Sequence, residues 1–137
     1  MNDIFKGVIT GVLPILIAVF SLFVFKQVDT RYFPVITEFN VTETKIQGNL
    51  MLASGTMLKS RDCELVQVVA YNSHMELIPI TFIENPGEEA TTREVGFQLW
   101  GPIGFPRKTP GAVTLYSRHK CNPLWQTRQQ LVRVTIL

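Results

Sequence analysis

The run from Gly7 to Phe25 (GVITGVLPILIAVFSLFVF) carries no charged residue and is bracketed by Lys6 and Lys26. At ~1.5 Å of helical rise per residue, its nineteen residues come close to the ~30 Å hydrocarbon core of a bilayer. In lipid a backbone must satisfy its own hydrogen bonds, so a spanning stretch is a helix. Pro14 removes one of those bonds and predicts a kink, which membrane helices tolerate. A secretory signal has a shorter apolar region followed by small residues. Here Ala18 is the single alanine and the run exits through Phe23-Val24-Phe25. An uncleaved signal anchor is therefore favoured over a cleaved signal, and the lack of a polar stripe argues against a buried core helix. The chain divides into a flank (1–6), an anchor (7–25), a short polar connector (26–33) and one domain (34–137).

Charge does not orient the anchor. Lys6 and the α-amino group oppose Asp3 on one side, and Lys26 and Arg31 oppose Asp29 on the other, which gives positive-inside counting nothing to decide on. The two cysteines, Cys63 and Cys121, both lie in the polar domain, as expected for one disulfide in an oxidising compartment. That expectation places the domain outside the cytoplasm, N-terminus in. The bond would close a loop of nearly sixty residues, worth ~4 kcal/mol in the chain-entropy view. Left unpaired, both cysteines would be ordinary small buried residues.

Alternation of period two dominates after Pro34. Val35, Thr37, Phe39 and Val41 share a face of a first strand, and Ile46, Gly48, Leu50 and Leu52 a face of a second. Cys63 to Tyr71 reads as a more buried third. Ile78, Ile80 and Phe82 alternate in a fourth, Val95, Phe97 and Leu99 in a fifth, Val113 and Leu115 in a sixth. Leu131 to Leu137 is the last, with Val132, Val134 and Ile136 together. Turn-forming clusters separate them: Ser54-Gly55, Asn72-Ser73, Asn85-Pro86-Gly87, Gly101-Pro102, Gly104, Pro106 and Pro110-Gly111. The pattern predicts an all-β, immunoglobulin-like antiparallel sandwich of about seven strands, with a small closed barrel as the alternative. Cys63 begins the third strand and Cys121 follows the sixth, so the disulfide is expected to pin a rim rather than cross the core.

Few residues suggest chemistry. A metal centre needs three or four convergent ligands, and His74, His119, Cys63 and Cys121 show none of the usual pair spacings. No metal site and no cofactor are expected, and an oxidised thiol would disfavour a nucleophilic Cys–His pair. Glu84, Glu88, Glu89 and Glu94 surround a turn, where solvated carboxylates are the default rather than a hydrolytic pair. No phosphate-cradling loop, nucleophile elbow or zinc-protease helix occurs, so an enzyme is not expected.

Binding features are more promising. No acidic residue follows Glu94, while Arg107, Lys108, Arg118, Lys120, Arg128 and Arg133 do. A one-sided basic surface would suit anionic lipid heads, glycans or an acidic partner. The net charge of +2 favours instead mutual neutralisation by the acidic turn, and no nucleic-acid motif is present. Trp100 and Phe105, around Gly101-Pro102, read either as a sticky partner-binding loop or as a cap on the core. Arg118 to Trp125 (RHKCNPLW) is the most distinctive stretch. The partner-binding candidates are accordingly Trp100, Phe105, Arg118, His119, Lys120 and Trp125.

Arg61-Asp62-Cys63-Glu64, Trp100-Gly101-Pro102 and His119-Lys120-Cys121-Asn122-Pro123-Leu124-Trp125 together resemble small proteins of tailed phages and prophages that pair a hydrophobic N-terminus with a β-rich domain. The resemblance spans most of residues 45–130 and brings no activity, catalytic residue or cofactor. It implies a phage or prophage origin, hence a bacterial inner membrane with the domain in the periplasm. The function expected is a non-enzymatic, membrane-tethered interaction module with a protein partner in the membrane or envelope, and the resemblance implies a host-envelope accessory role. The alternative is a structural accessory subunit of a larger membrane complex, with Gly7 and Gly11 permitting close helix approach.

Overall fold

A computed structural model describes residues 3–83, 94–108 and 111–135. The chain forms two units, residues 1–33 and 34–137. In the first, helix α1 runs Asp3–Tyr32 with Pro14 inside it, so the polar connector is itself helical up to Tyr32. Thr30 Oγ1 donates to the Lys26 carbonyl at 2.9 Å in its last turns. From Ile9 to Tyr32 the helix is long and apolar enough to cross a membrane. A helix of this kind near an N-terminus serves as a membrane anchor or as a signal sequence.

Among the described residues the second unit holds eight strands: β1 (Ile36–Gln47), β2 (Leu50–Lys59), β3 (Glu64–Tyr71), β4 (Leu77–Ile78), β5 (Thr81–Phe82), β6 (Gly96–Pro106), β7 (Ala112–Lys120) and β8 (Thr127–Thr135). They build two antiparallel four-stranded sheets, ordered β1-β2-β6-β5 and β4-β3-β7-β8. The expected all-β sandwich behind a helix is thus present. The single fourth strand expected over Ile78–Phe82 is instead two short ones in different sheets, because the chain crosses between layers at Pro79-Ile80. The acidic residues Glu84, Glu88 and Glu89, the turns at Asn85-Pro86-Gly87 and Pro110, and Ile136 lie outside the described residues.

Which face of each strand is buried differs from expectation in β2 and β6. The β1–β2 hairpin turns at Gly48-Asn49, Gly48 having a positive φ of 58°, so Ile46 belongs to β1 and Gly48 to no strand. The inward residues of β2 are Met51, Ala53, Gly55, Met57 and Lys59, not Leu50 and Leu52. Ser54-Gly55 is not a turn but mid-strand, beside a register shift in which Val41 and Glu43 face Gly55 and Ser54. A Cβ on Gly55 would collide with the Asn40 carbonyl oxygen and press on the Trp100 ring. Gly101-Pro102, joined by a cis peptide bond, and Gly104 likewise sit within β6. There the register jumps from Gly55↔Trp100 to Ala53↔Ile103, and Gly101 has a φ of 88°.

Val35, Ile36, Met51, Ala53, Trp100, Ile103 and Phe105 meet Ala70, Val113, Leu115 and Val134 in the core between the sheets. One edge of the sandwich is held by Gln129 of β8. Its Oε1 accepts the Val35 and Ile36 N–H groups, each at 3.1 Å, and its Nε2 donates to the Ile36 carbonyl. One side chain thereby ties the first sheet to the second at β1. Asn72 closes the β3–β4 turn, its Oδ1 accepting the backbone N–H groups of His74 and Glu76 at 2.9 Å.

Two substitutions test this account by thermal unfolding of the full chain in mild detergent. Gln129→Leu loses three cross-sheet bonds and is expected to cost about 1–2 kcal/mol, with Tm lowered roughly 4–8 °C per kcal/mol. Gly55→Ala forces β1 away from β2 and should cost ~3 kcal/mol. An unchanged Tm in either variant would contradict the corresponding contact.

Candidate functional site

The β3–β7 ladder ends with Glu64 opposite Lys120. Cys63 and Cys121, one residue beyond, are disulfide-bonded with their Cα atoms 4.5 Å apart. The disulfide is the next rung of that ladder, at the rim of one sheet as expected, and it does not bridge the two sheets. Beyond it Asn122 Oδ1 accepts the N–H groups of Leu124 (2.9 Å) and Trp125 (3.1 Å), folding the rim loop back toward β8. Trp125 is half-buried and Leu124 is exposed.

The six partner-binding candidates do not form one surface. Trp100 and Phe105, 5 % and 0 % exposed, are core residues of β6, so the sticky loop expected around Gly101-Pro102 is a strand. Trp100 stacks on Phe39 with ring centroids 4.3 Å apart, and its Nε1 donates to the carbonyls of Asn40 and Thr56, both at 3.1 Å. The reading of Trp100 as a core residue is the one that holds. Arg118 and Lys120 point outward from β7, while His119 between them is 2 % exposed. The period of two in the strand splits this tripeptide across both faces.

His119 joins a small polar group inside the sandwich. A cavity of about 90 Å³ lies between the sheets, lined by Phe39, Met57, Trp100, Ile103 and Leu131 and, at one end, by Lys59, Ser117 and His119. It is smaller than the ~150 Å³ space that takes up a benzene ring. His119 Nε2 and Ser117 Oγ are 2.9 Å apart. Its Nδ1 is buried without a hydrogen-bond partner among the described residues. Lys59, 5 % exposed, extends its Nζ to 3.9 Å from Asp62 Oδ1 at the surface. Burial first, and the charge of Lys59 second, push the His119 imidazole down to about 4. At neutral pH it is a neutral ring, and neither cysteine is a thiol to pair with it. Among the described residues no three His, Cys, Asp or Glu side chains converge on one point.

An apolar pair absent from the partner-binding candidates faces outward. Phe97 and Leu99 of β6 are 68 % and 72 % exposed, opposite Leu58 and Thr56 of β2, with Val95 just before them. Their alternation is visible in the sequence, but alternation alone does not say which face is buried. Trp100, with the opposite parity, takes the core side. Comparisons with protein-family models, curated proteins and solved structures give no match.

The His119 environment makes stability depend on pH. Its folded pKa lies below the ~6.5 of an unfolded histidine, so the unfolded chain takes up the proton more readily. This group's contribution is complete above ~6.5 and is lost as pH falls toward 4. Denaturant midpoints at pH 7.5 and 4.5 should differ more for the native chain than for His119→Phe. Lys59→Met removes one of the two depressing influences, so the His119 ring resonance should titrate at higher pH. Identical pH slopes in the native chain and His119→Phe would refute this assignment.

Proposed function

We propose that the chain is a non-enzymatic binding module, held at a membrane by α1 and presenting the outer face of its first sheet to a protein partner. Phe97 and Leu99 carry this reading. Large apolar side chains left open on a strand face, two residues apart and flanked by Leu58 and Val95, are the kind of contiguous patch that marks a docking surface. The order β1-β2-β6-β5 against β4-β3-β7-β8 corresponds to A-B-E-D against C′-C-F-G, which supports the immunoglobulin-like type. The Cys63–Cys121 bond favours an oxidising compartment, and therefore an N-in anchor with the sandwich outside the cytoplasm. The resemblance to phage and prophage proteins implies the inner membrane and periplasm of a bacterium, and a host-envelope accessory role.

A photo-crosslinking residue placed at 97 or 99 in the full chain, in native membranes, tests this. Both positions should give the same discrete protein adduct, and position 130 on the other sheet should not. Phe97→Ser should abolish the adduct from 99 while changing stability by less than ~0.5 kcal/mol. Lipid adducts alone, or the same adducts from 97, 99 and 130, would overturn the reading.

A further inference from the structure

The outer face of the second sheet has the opposite chemistry. Along β7 the residues pointing outward are Thr114, Tyr116, Arg118 and Lys120. The register sets Arg118 directly opposite Arg128 of β8 on one side and opposite Gln67 of β3 on the other. Lys120 and Arg133 extend the same face, while Glu64, opposite Lys120, is the one carboxylate placed on it by the register of the described strands. Four of the six basic residues noted in the sequence are thus gathered on one side of one sheet, while Arg107 and Lys108 follow β6 of the other.

Like charges directly opposite in adjacent strands destabilise a sheet. Among the described residues neither Arg118 nor Arg128 takes part in an ion pair. Arg128 is instead held over aromatic rings, its guanidinium carbon 4.4 Å from the Tyr116 centroid and 5.6 Å from that of Tyr71. The two rings meet edge to face at 5.8 Å. Stacking of this kind fixes the guanidinium plane before any ligand arrives and reduces the entropy lost on binding. Beside it lies a groove of about 150 Å³ lined by Gln67, Tyr71, Tyr116, Arg118 and Arg128.

We propose that this groove binds the phosphate of a phosphate monoester, with Arg118 and Arg128 as two forks on one oxyanion and Gln67 as an additional donor. A single guanidinium already satisfies both oxygens of a carboxylate. Two opposed guanidiniums and an amide call for a third oxygen and a second negative charge, which a phosphate monoester supplies. The phosphate comes either from a lipid headgroup or from a soluble ester; the recognising chemistry is the same. The site is on the other sheet from Phe97 and Leu99 and stands independently of the docking reading.

The test uses the full chain in nonionic detergent micelles, titrated calorimetrically with glycerol 3-phosphate, and separately with micelles doped with phosphatidic acid or phosphatidylcholine. Saturable binding is expected for at least one phosphate monoester, with acetate and phosphatidylcholine silent. Arg118→Gln and Arg128→Gln should each weaken it roughly tenfold or more, and Arg118→Lys should restore only part of the loss. Arg133→Gln, away from the groove, should change it less than about twofold. Saturation by phosphatidic acid alone assigns the source to lipid, and saturation by glycerol 3-phosphate to soluble esters; either supports the site. Arg118→Gln leaves the Arg128–tyrosine stack in place, and a Tm measured beside each titration separates lost binding from lost fold. Absence of saturable binding to any monoester, equally tight binding of acetate, or an equal loss in Arg133→Gln would overturn the proposal.

Discussion

The indole of Trp100 is the contact on which the first sheet depends. It fits because Gly55, its neighbour across the ladder, has no Cβ, and because the Asn40 carbonyl of β1 accepts from its ring nitrogen. With Thr56 as a second acceptor and Phe39 stacked on its face, a large amphipathic side chain is buried with its polar atom satisfied. Everything along β6 follows. Once Trp100 points inward, Phe97 counts outward with Leu99, and the strand must re-aim at Gly101-Pro102 before Ile103 and Phe105 can also reach the core.

The buried polar group is the counterweight to that well-packed region. Lys59, Ser117 and His119 occupy inward positions of β2 and β7, where apolar residues would be the default. Lys59 manages by reaching for Asp62 at the surface, while the imidazole stays neutral. The neighbouring cavity and the orphaned Nδ1 show packing and hydrogen bonding both incomplete at this end of the sandwich. The Cys63–Cys121 bond sits at the same end and closes a 58-residue loop. In the chain-entropy view such a crosslink contributes ~4 kcal/mol, comparable to what an imperfect core end forfeits.

Much of the architecture was legible because it is local. An uncharged apolar run announces α1, and alternation with turn residues announces a sandwich. Parity was not legible. In β6 either the Phe97–Leu99 set or the set containing Trp100 reads as a core face, and only the fit of Trp100 against Gly55 decides. Gly101-Pro102 looks like a turn, yet hydrogen bonding to β2 carries the strand through it as an irregularity. The expected rim of Arg118, His119 and Lys120 failed for the same reason. Neighbours in sequence along a strand face opposite ways, whereas Arg118 and Arg128, ten residues apart, face the same way. That pairing is a matter of register, which no local pattern encodes.

Register also makes the two outer faces inseparable from the core. A slip of one residue in β7 would bring Arg118 inward and turn Leu115 and Val113 to solvent. The same slip in β6 would bury Phe97 and Leu99 but expel Trp100, whose place beside Gly55 no other residue of the strand can fill. The apolar face on one sheet and the basic face on the other are therefore specified from inside. The fit of Trp100, Val113 and Leu115 holds Phe97, Leu99 and Arg118 in position. The outer residues are free to vary in type, but not in direction. Binding chemistry on this fold can change by substitution alone, one sheet at a time, without renegotiating the core.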